Sequence, residues 1–390
     1  MTTSSTSPSA ASATPSTGGS GILPAELEDL VALFDVRATD SPTPDAEREA
    51  ALRSPKFGTV FTDHMARVSW RQGDGWLDRR VEKYGPLQID PATAVLHYAQ
   101  EIFEGMKAYR HADGSVWTFR PDANAARFAR SAHRMALPAL SVDDFIGSIA
   151  ALVRTDIDWV PSGEDFSLYL RPFTFASEAF LGVRPTNEAE YLVIASPVGP
   201  YFAGGVKPVS IWIDEHYHRS GPGGTGDAKY GGNYAASLLP QRLAGEKGFD
   251  QVCYLDAVTN TSLEELGGMN VFVVMADGSV HTPELTGTFL EGVTRSSILQ
   301  LATDRGHQAV ERRIPLAEVV TGLRDGTVRE IFACGTAAVI TPVGRLAGDE
   351  FDLQVSGGEP GELTMAIREE LTDIQYGRVA DRHGWMRRLA

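Results

Sequence analysis

The blocks ELGGMNVF (Glu265–Phe272), VHT (Val280–Thr282) and LEGVTR (Leu290–Arg295) stand at fixed offsets, with seven residues between each block and the next. Asn270 opens the apolar run NVFVVM, whose length and β-branched content predict a strand. Asp277-Gly278 predicts a hairpin turn into the second block. In the third block, Thr294 is a candidate N-cap for a helix carrying Ile298, Leu301 and Ala302 on one face. Glu265 sits just ahead of the strand, where it either pairs with a cation or lies in an exposed turn. Free N–H groups at the helix start either hold an anion such as phosphate or face water.

Upstream, GPGGTGDAKYGGNY (Gly221–Tyr234) surrounds one lysine with glycines. Glycine lets backbone approach a ligand closely, and a desolvated lysine amine is a nucleophile towards carbonyl carbon. The same composition also suits a mobile loop with a solvated Lys229. A P-loop is excluded, because Ala228 precedes and Tyr230 follows the lysine. Downstream, Gly335-Thr336-Ala337-Ala338 is a small-residue turn between the strand-like runs EIFAC and VITPV. Further strands are expected in EYLVIASPV, PVSIWIDEH and QVCYLDA. Ser141 and Asp144 start a helix carrying Phe145, Ile149, Leu152 and Val153, stopped by Pro161. Another helix runs through NAARFARSAHRMAL with Ala125, Phe128, Ala129 and Ala132 on one face. Strands and helices mix in both halves without strict alternation, which predicts an α+β, mixed fold.

The Gly/Pro-rich VGPYFAGGVKP marks an interdomain linker, residues 198–208. It separates a smaller N-terminal α/β domain (23–197) from a larger C-terminal domain (209–390). Residues 1–22 are rich in Ser, Thr, Ala and Pro, with too little apolar surface to pack, and are expected to be a disordered tail. With Arg37 as the first basic residue, no charged leader pattern is present. The 390 residues carry a formal charge of −16, which argues against binding to nucleic-acid backbone. No apolar run approaches the ~20 residues that span a bilayer, which argues against an integral membrane protein. Two cysteines, Cys253 and Cys334, exclude a disulfide framework and a cysteine zinc cage, and no metal is expected. A reducing, cytoplasmic setting follows as the expectation.

Together the three blocks, spanning thirty-one residues, resemble the signature of the class IV aminotransferases, pyridoxal-phosphate enzymes of fold type IV. FGTVFTDHM, HYAQEIFEGMKAY, FRPDANAARFARSA, SLYLRP, AKYGGNY, CGTAAVITPV and LTDIQYGR look like the branched-chain amino-acid aminotransferases, from about Leu30 to Gly377. The resemblance implies two α/β domains with the cofactor between them. It implies transfer of the amino group of Leu, Ile or Val to 2-oxoglutarate by a ping-pong mechanism alternating pyridoxal and pyridoxamine phosphate. It also implies a homodimer, with each site completed by the partner's smaller domain. D-amino-acid aminotransferases and aminodeoxychorismate lyases share the lysine and glutamate but are similar over less of the chain. A non-catalytic relative is the reading from another class.

Carried over residue by residue, the resemblance makes Lys229 the cofactor tether and the catalytic acid/base. Glu265 faces the pyridine nitrogen; neighbouring Glu264 has the same chemistry, and only the motif separates them. Tyr234 meets the ring hydroxyl, and Pro240 is expected to start or kink the helix that follows. The phosphate falls to Arg127, the backbone at Val293 and Thr294, and Thr336. Periodicity does not separate Arg127 from Arg130 and Arg134. Tyr98, Phe103, Tyr169 and Tyr201 are expected around the branched side chain, and Arg171 against the glutamate side-chain carboxylate. The α-carboxylate is expected on the Thr336-Ala337-Ala338 turn, helped by Tyr98. Lys107 lies in a well-matched segment with no role. Two departures stand out. Ala338 and Thr341 replace the Cys-x-x-Cys pair of some members, and Gly268 stands where some relatives have threonine.

Overall fold

In the computed structural model, which describes residues 27–200 and 205–390, the apolar runs pair into two mixed sheets. The expected tail, residues 1–22, lies outside the described residues, as does Tyr201 in the expected linker. The first sheet centres on the long antiparallel pair Ser167–Ala176 and Glu188–Val198. Met106–Arg110 flanks that pair on one side and His64–Arg71 on the other. Glu101–Phe103 pairs with one end of Ser167–Ala176. Two helices cover this sheet. Val142–Thr155 starts where Ser141 Oγ accepts from the Asp144 N–H at 3.0 Å, as the sequence predicts. Its Phe145, Ile149 and Leu152 are buried, each contributing about 1.5–3 kcal/mol of transfer free energy. Pro121–Arg134 begins with proline at N1 and buries Ala125, Phe128 and Ala132.

The second sheet begins at Val209–Asp214, which lies parallel to both Gln251–Leu255 and Val339–Gly348. Asn270–Met275 pairs antiparallel with Val328–Gly335, and Phe272 stacks on Phe332 at 4.9 Å. Leu263–Leu266 pairs with Gln251–Leu255 and, through Glu265 opposite Asn270, with Asn270–Met275. That extra pairing closes six strands into a ring, so Glu265 sits at a seam of a barrel rather than at an open edge.

The chain does not divide as simply as the linker suggests. The strand Met386–Arg388, inside the expected C-terminal domain, pairs with Val116–Phe119 of the first sheet. A core cluster also joins the halves, placing Tyr109 and Phe119 with Ile298, Leu301, Phe332, Ile367 and Leu371. Pro240 neither starts nor ends a helix; it lies inside Gly231–Glu246.

Candidate active site

A cavity of about 310 Å³ opens between the two sheets, and Lys229, Tyr234, Glu265, Arg127 and Thr336 all line it. Both polar groups of the Lys229 backbone are hydrogen-bonded. Its carbonyl accepts from the Phe103 N–H at 3.0 Å, and its own N–H donates to Ser131 Oγ at 2.9 Å. The first sheet and the helix Pro121–Arg134 therefore hold the lysine backbone. The Lys229 ammonium donates to the Tyr234 hydroxyl at 2.9 Å and lies 4.8 Å from the Phe103 ring centroid. Tyr234 sits in the first turn of Gly231–Glu246, whose leading N–H donates to the Glu101 carboxylate. Burial raises the Glu101 pKa, against the lowering effects of that N–H and of Arg171. Close approach explains one glycine of the loop: a Cβ on Gly226 would collide with the Thr288 backbone.

Strand alternation separates the two adjacent glutamates. Glu265 faces the cavity with Lys229, whereas Glu264 lies off it and accepts from the Thr288 hydroxyl at 2.5 Å. Asn270 Nδ2 orients Glu265 by donating to Oε1 at 3.2 Å and to the Leu290 carbonyl at 3.0 Å. Arg219, which the sequence reading missed, places Nε 2.8 Å from Glu265 Oε2, with both side chains buried. The contact is an ion pair without hydrogen-bond alignment, so Oε2 has no donor among the described residues. Burial raises the Glu265 pKa; the charge of Arg219 opposes it, followed by the Leu290 N–H, Lys229 and Arg127.

At the other end of the cavity the helix Val293–Asp304 begins. Its N-cap is Gly292, not Thr294, which lies within the first turn. No side chain caps this helix, so its leading N–H groups remain available at the cavity. Arg127 is buried, while Arg130 and Arg134 are exposed, a difference that periodicity does not show. Its Nε and Nη2 each meet a carboxylate oxygen of Glu104 at 2.8 Å, and Nη1 donates to the Glu291 carbonyl at 3.0 Å. Glu104 is fully buried and also accepts from Asn124 at 2.8 Å. It too was missed, although an acid inside the apolar EIFEGM was a visible signal.

Phe103, Tyr169 and Arg171 line the cavity as expected, and Phe57 packs edge-on to Tyr169 at 4.9 Å. Arg171 donates to the Tyr169 hydroxyl at 3.1 Å and lies over the Phe103 ring at 4.8 Å. Thr336, Ala337 and Ala338 form the hairpin apex on the cavity wall. Tyr98 is not brought to this cavity. It ends the short helix Ala94–Tyr98, half-exposed, and its hydroxyl donates to the Leu181 carbonyl. Cys334 is buried, and Gly268 lines the cavity with room for a Cβ at ordinary contact distance from Tyr234.

The family model described as "Amino-transferase class IV" matches residues 101–346. A probable branched-chain-amino-acid aminotransferase of Streptomyces coelicolor is 56% identical over 358 residues, covering 92% of this chain and 99% of that protein. A branched-chain-amino-acid aminotransferase of Mycolicibacterium smegmatis is 53% identical over 360 residues, covering 91% of this chain and 98% of that protein. Among solved structures, the Escherichia coli branched-chain amino acid aminotransferase superposes with a TM-score of 0.69 at 26% identity, over 83% of this chain and all of that one. Relatives of this identity and coverage, a matching fold and a cavity built on the same motif residues leave one conclusion: the chain belongs to the class IV aminotransferases and, within them, to the branched-chain amino-acid aminotransferases.

Proposed function

We propose that this protein reversibly transfers the amino group of L-leucine, L-isoleucine or L-valine to 2-oxoglutarate, with pyridoxal phosphate held in the cavity between the sheets. The observation that carries the cofactor assignment is Glu265 Oε2, buried in the lining of the cavity that holds Lys229, ion-paired with Arg219 but without a hydrogen-bond donor among the described residues. A protonated pyridine nitrogen is the donor that would satisfy it. The uncapped helix start at Val293 and Thr294, with Arg127 and Thr336, suits a phosphate dianion. Bound there, pyridoxal phosphate would supply an electrophilic aldehyde and an electron-accepting ring.

The chain's own groups do the rest. Lys229 tethers through its amine and, once free, moves a proton to and from the substrate Cα. Tyr234 keeps that amine in place by its 2.9 Å hydrogen bond and offers its hydroxyl to the ring oxygen. Glu265, oriented by Asn270 and balanced by Arg219, would hold negative charge against the ring nitrogen. Phe103 and Tyr169 exclude water from an aliphatic side chain. Arg171, held between the same two aromatics, meets the second carboxylate of glutamate. The Thr336–Ala338 turn receives the α-carboxylate.

The same proposal includes a cytoplasmic homodimer. Leu96, Leu181 and Val183 are exposed, and the Tyr98 hydroxyl donates to the Leu181 carbonyl. Such an apolar patch favours cover by a second copy. In that assembly Tyr98 belongs to the covered surface and not to its own chain's cavity.

A panel of L- and D-amino acids with 2-oxoglutarate tests the activity. Turnover of L-Leu, L-Ile and L-Val is expected; preference for D-alanine, or no turnover of the branched substrates, overturns the proposal.

A further inference from the structure

Lys107 stands outside the reaction cavity, on the strand Met106–Arg110 of the first sheet. It is 9% exposed, and its ammonium crosses to the second sheet to donate to the Ala337 carbonyl at 2.8 Å. Ala337 is the middle residue of the three-residue hairpin loop between Gly335 and Val339, which pair across the ladder. We propose that Lys107 is a positioning residue for substrate carboxylates, holding the Ala337 carbonyl so that the 336–338 turn presents its N–H groups to the cavity. This inference rests on the proposed function, in which that turn receives the α-carboxylate.

Three observations converge on it. First, Ala337 lines both the reaction cavity and the neighbouring one that contains Lys107. The carbonyl is drawn towards Lys107, and in a trans peptide the N–H of the next residue points the opposite way. For Ala338 that direction leads away from Lys107, towards the reaction cavity. Second, Val339 has φ +60°, a left-handed conformation that a β-branched residue rarely adopts. Val339 is the first residue past the loop, and glycine is the residue that adopts this conformation without strain. Strain of this kind persists only where the surroundings over-determine the backbone, and it gathers at functional sites. Here the Val339 side chain is packed in the core that joins the halves, and Lys107 holds the loop from the other side. Third, the cation is maintained. Burial pushes the Lys107 amine down to about 8, with Asp165 opposing and Arg368 adding to the fall. At neutral pH it remains mostly protonated, and its charge sits directly behind the turn that takes an anion.

The test uses holoenzyme, with 4-methylvaleric acid and its neutral amide as probes. Both carry the leucine skeleton without the amine, and only the acid is an anion. In Lys107→Met the acid should bind about tenfold more weakly or worse, the loss expected for one charge-assisted orienting hydrogen bond, while the amide changes little. KM for L-leucine and for 2-oxoglutarate should rise by a similar factor with kcat changing far less, and bound cofactor should stay stoichiometric. Lys107→Arg, which keeps a donor and a charge, should recover much of the loss. If Lys107→Met fails to fold, Lys107→Gln is read in the same way. Equal weakening of acid and amide, loss of cofactor together with affinity, or unchanged affinities would overturn the inference while wild type behaves normally. Failure of wild type to bind the acid or to turn over leucine would instead overturn the functional reading, and this inference with it.

Discussion

Glu104→Gln separates stability from cofactor affinity in opposite directions. Glu104 is fully buried, and its two oxygens take Arg127 Nε and Nη2, each at 2.8 Å, with Asn124 adding a third bond. Glutamine keeps the volume but leaves a buried guanidinium without its counter-charge. Removing one partner of such a pair costs about 3–5 kcal/mol, so the cofactor-free variant should lose about that much stability. With a phosphate dianion against the remaining N–H groups of Arg127, the deficit should fall to the value of charged hydrogen bonds, about 1.5–3 kcal/mol. By linkage, the difference of about 1.5–2 kcal/mol appears as cofactor affinity roughly ten- to thirtyfold higher than that of wild type. Urea unfolding followed by tryptophan fluorescence, with and without saturating pyridoxal phosphate, reads both quantities. The pH dependence has a definite sign. Burial alone would raise the Glu104 pKa, but the charge and hydrogen bonds of Arg127 hold it below the usual carboxylate range. A depressed folded pKa means the pair stabilises fully above the unfolded value of about 4.3, and its contribution is lost as pH falls from there through the folded value. A variant that is as stable as wild type without cofactor, yet binds cofactor more weakly, would refute this account of the pair.

Other expectations concern the same cavity. Lys229→Ala should abolish both transamination and the borohydride-trappable adduct, read by mass spectrometry of the reduced protein; an adduct that survives would place the tether elsewhere. Glu265→Gln should lower kcat by about 10²–10³-fold, the scale of losing one preorganised electrostatic group, with circular dichroism confirming the fold. Arg219→Met removes the charge that opposes burial at Glu265, so the acid limb of the pH–rate profile should move to higher pH. Burial pushes the Cys253 thiol up to about 12 and Cys334 higher still. Iodoacetamide at pH 8 should therefore leave native activity and both thiols intact and label both after urea; rapid native labelling would contradict their burial.

Much of the fold was legible because burial imposes periods. The helix Val142–Thr155 and the strand Asn270–Met275 both follow from apolar spacing and a terminal signal, Ser141 in one case and the Asp277-Gly278 turn in the other. Lys229, Tyr234, Glu265, Arg127 and Thr336, which the fold gathers around one cavity, were singled out through their motifs. What escaped were their supporters. Glu104 and Arg219 do their work across pairings that only the folded chain creates, Glu104 reaching a helix 23 residues on and Arg219 a barrel strand. The choice between Glu264 and Glu265 depends on which face of one strand each occupies, set by pairing with Gln251–Leu255 and Asn270–Met275. Thr294 looked like a cap because of its residue type, but Gly292 comes first. A Cβ there would collide with the Asn270 side chain, so packing against the cavity strand decided where the helix begins. Tyr98 matched its motif yet faces outward, because a short helix carries it along the rim of the first sheet.

The returning strand Met386–Arg388 also sets a timetable for synthesis. Among the described residues, every other strand of the first sheet has left the ribosome once Val198 emerges, but its last neighbour is encoded some 190 residues later. Translation at about 5–20 residues per second delays that strand by roughly 10–40 s. During that interval Val116–Phe119 is an unpaired edge, and the pocket that buries Leu389 and offers its carbonyl to Arg154 stays empty. A nonsense codon anywhere between the codons for Val198 and Met386 would leave that edge permanently open.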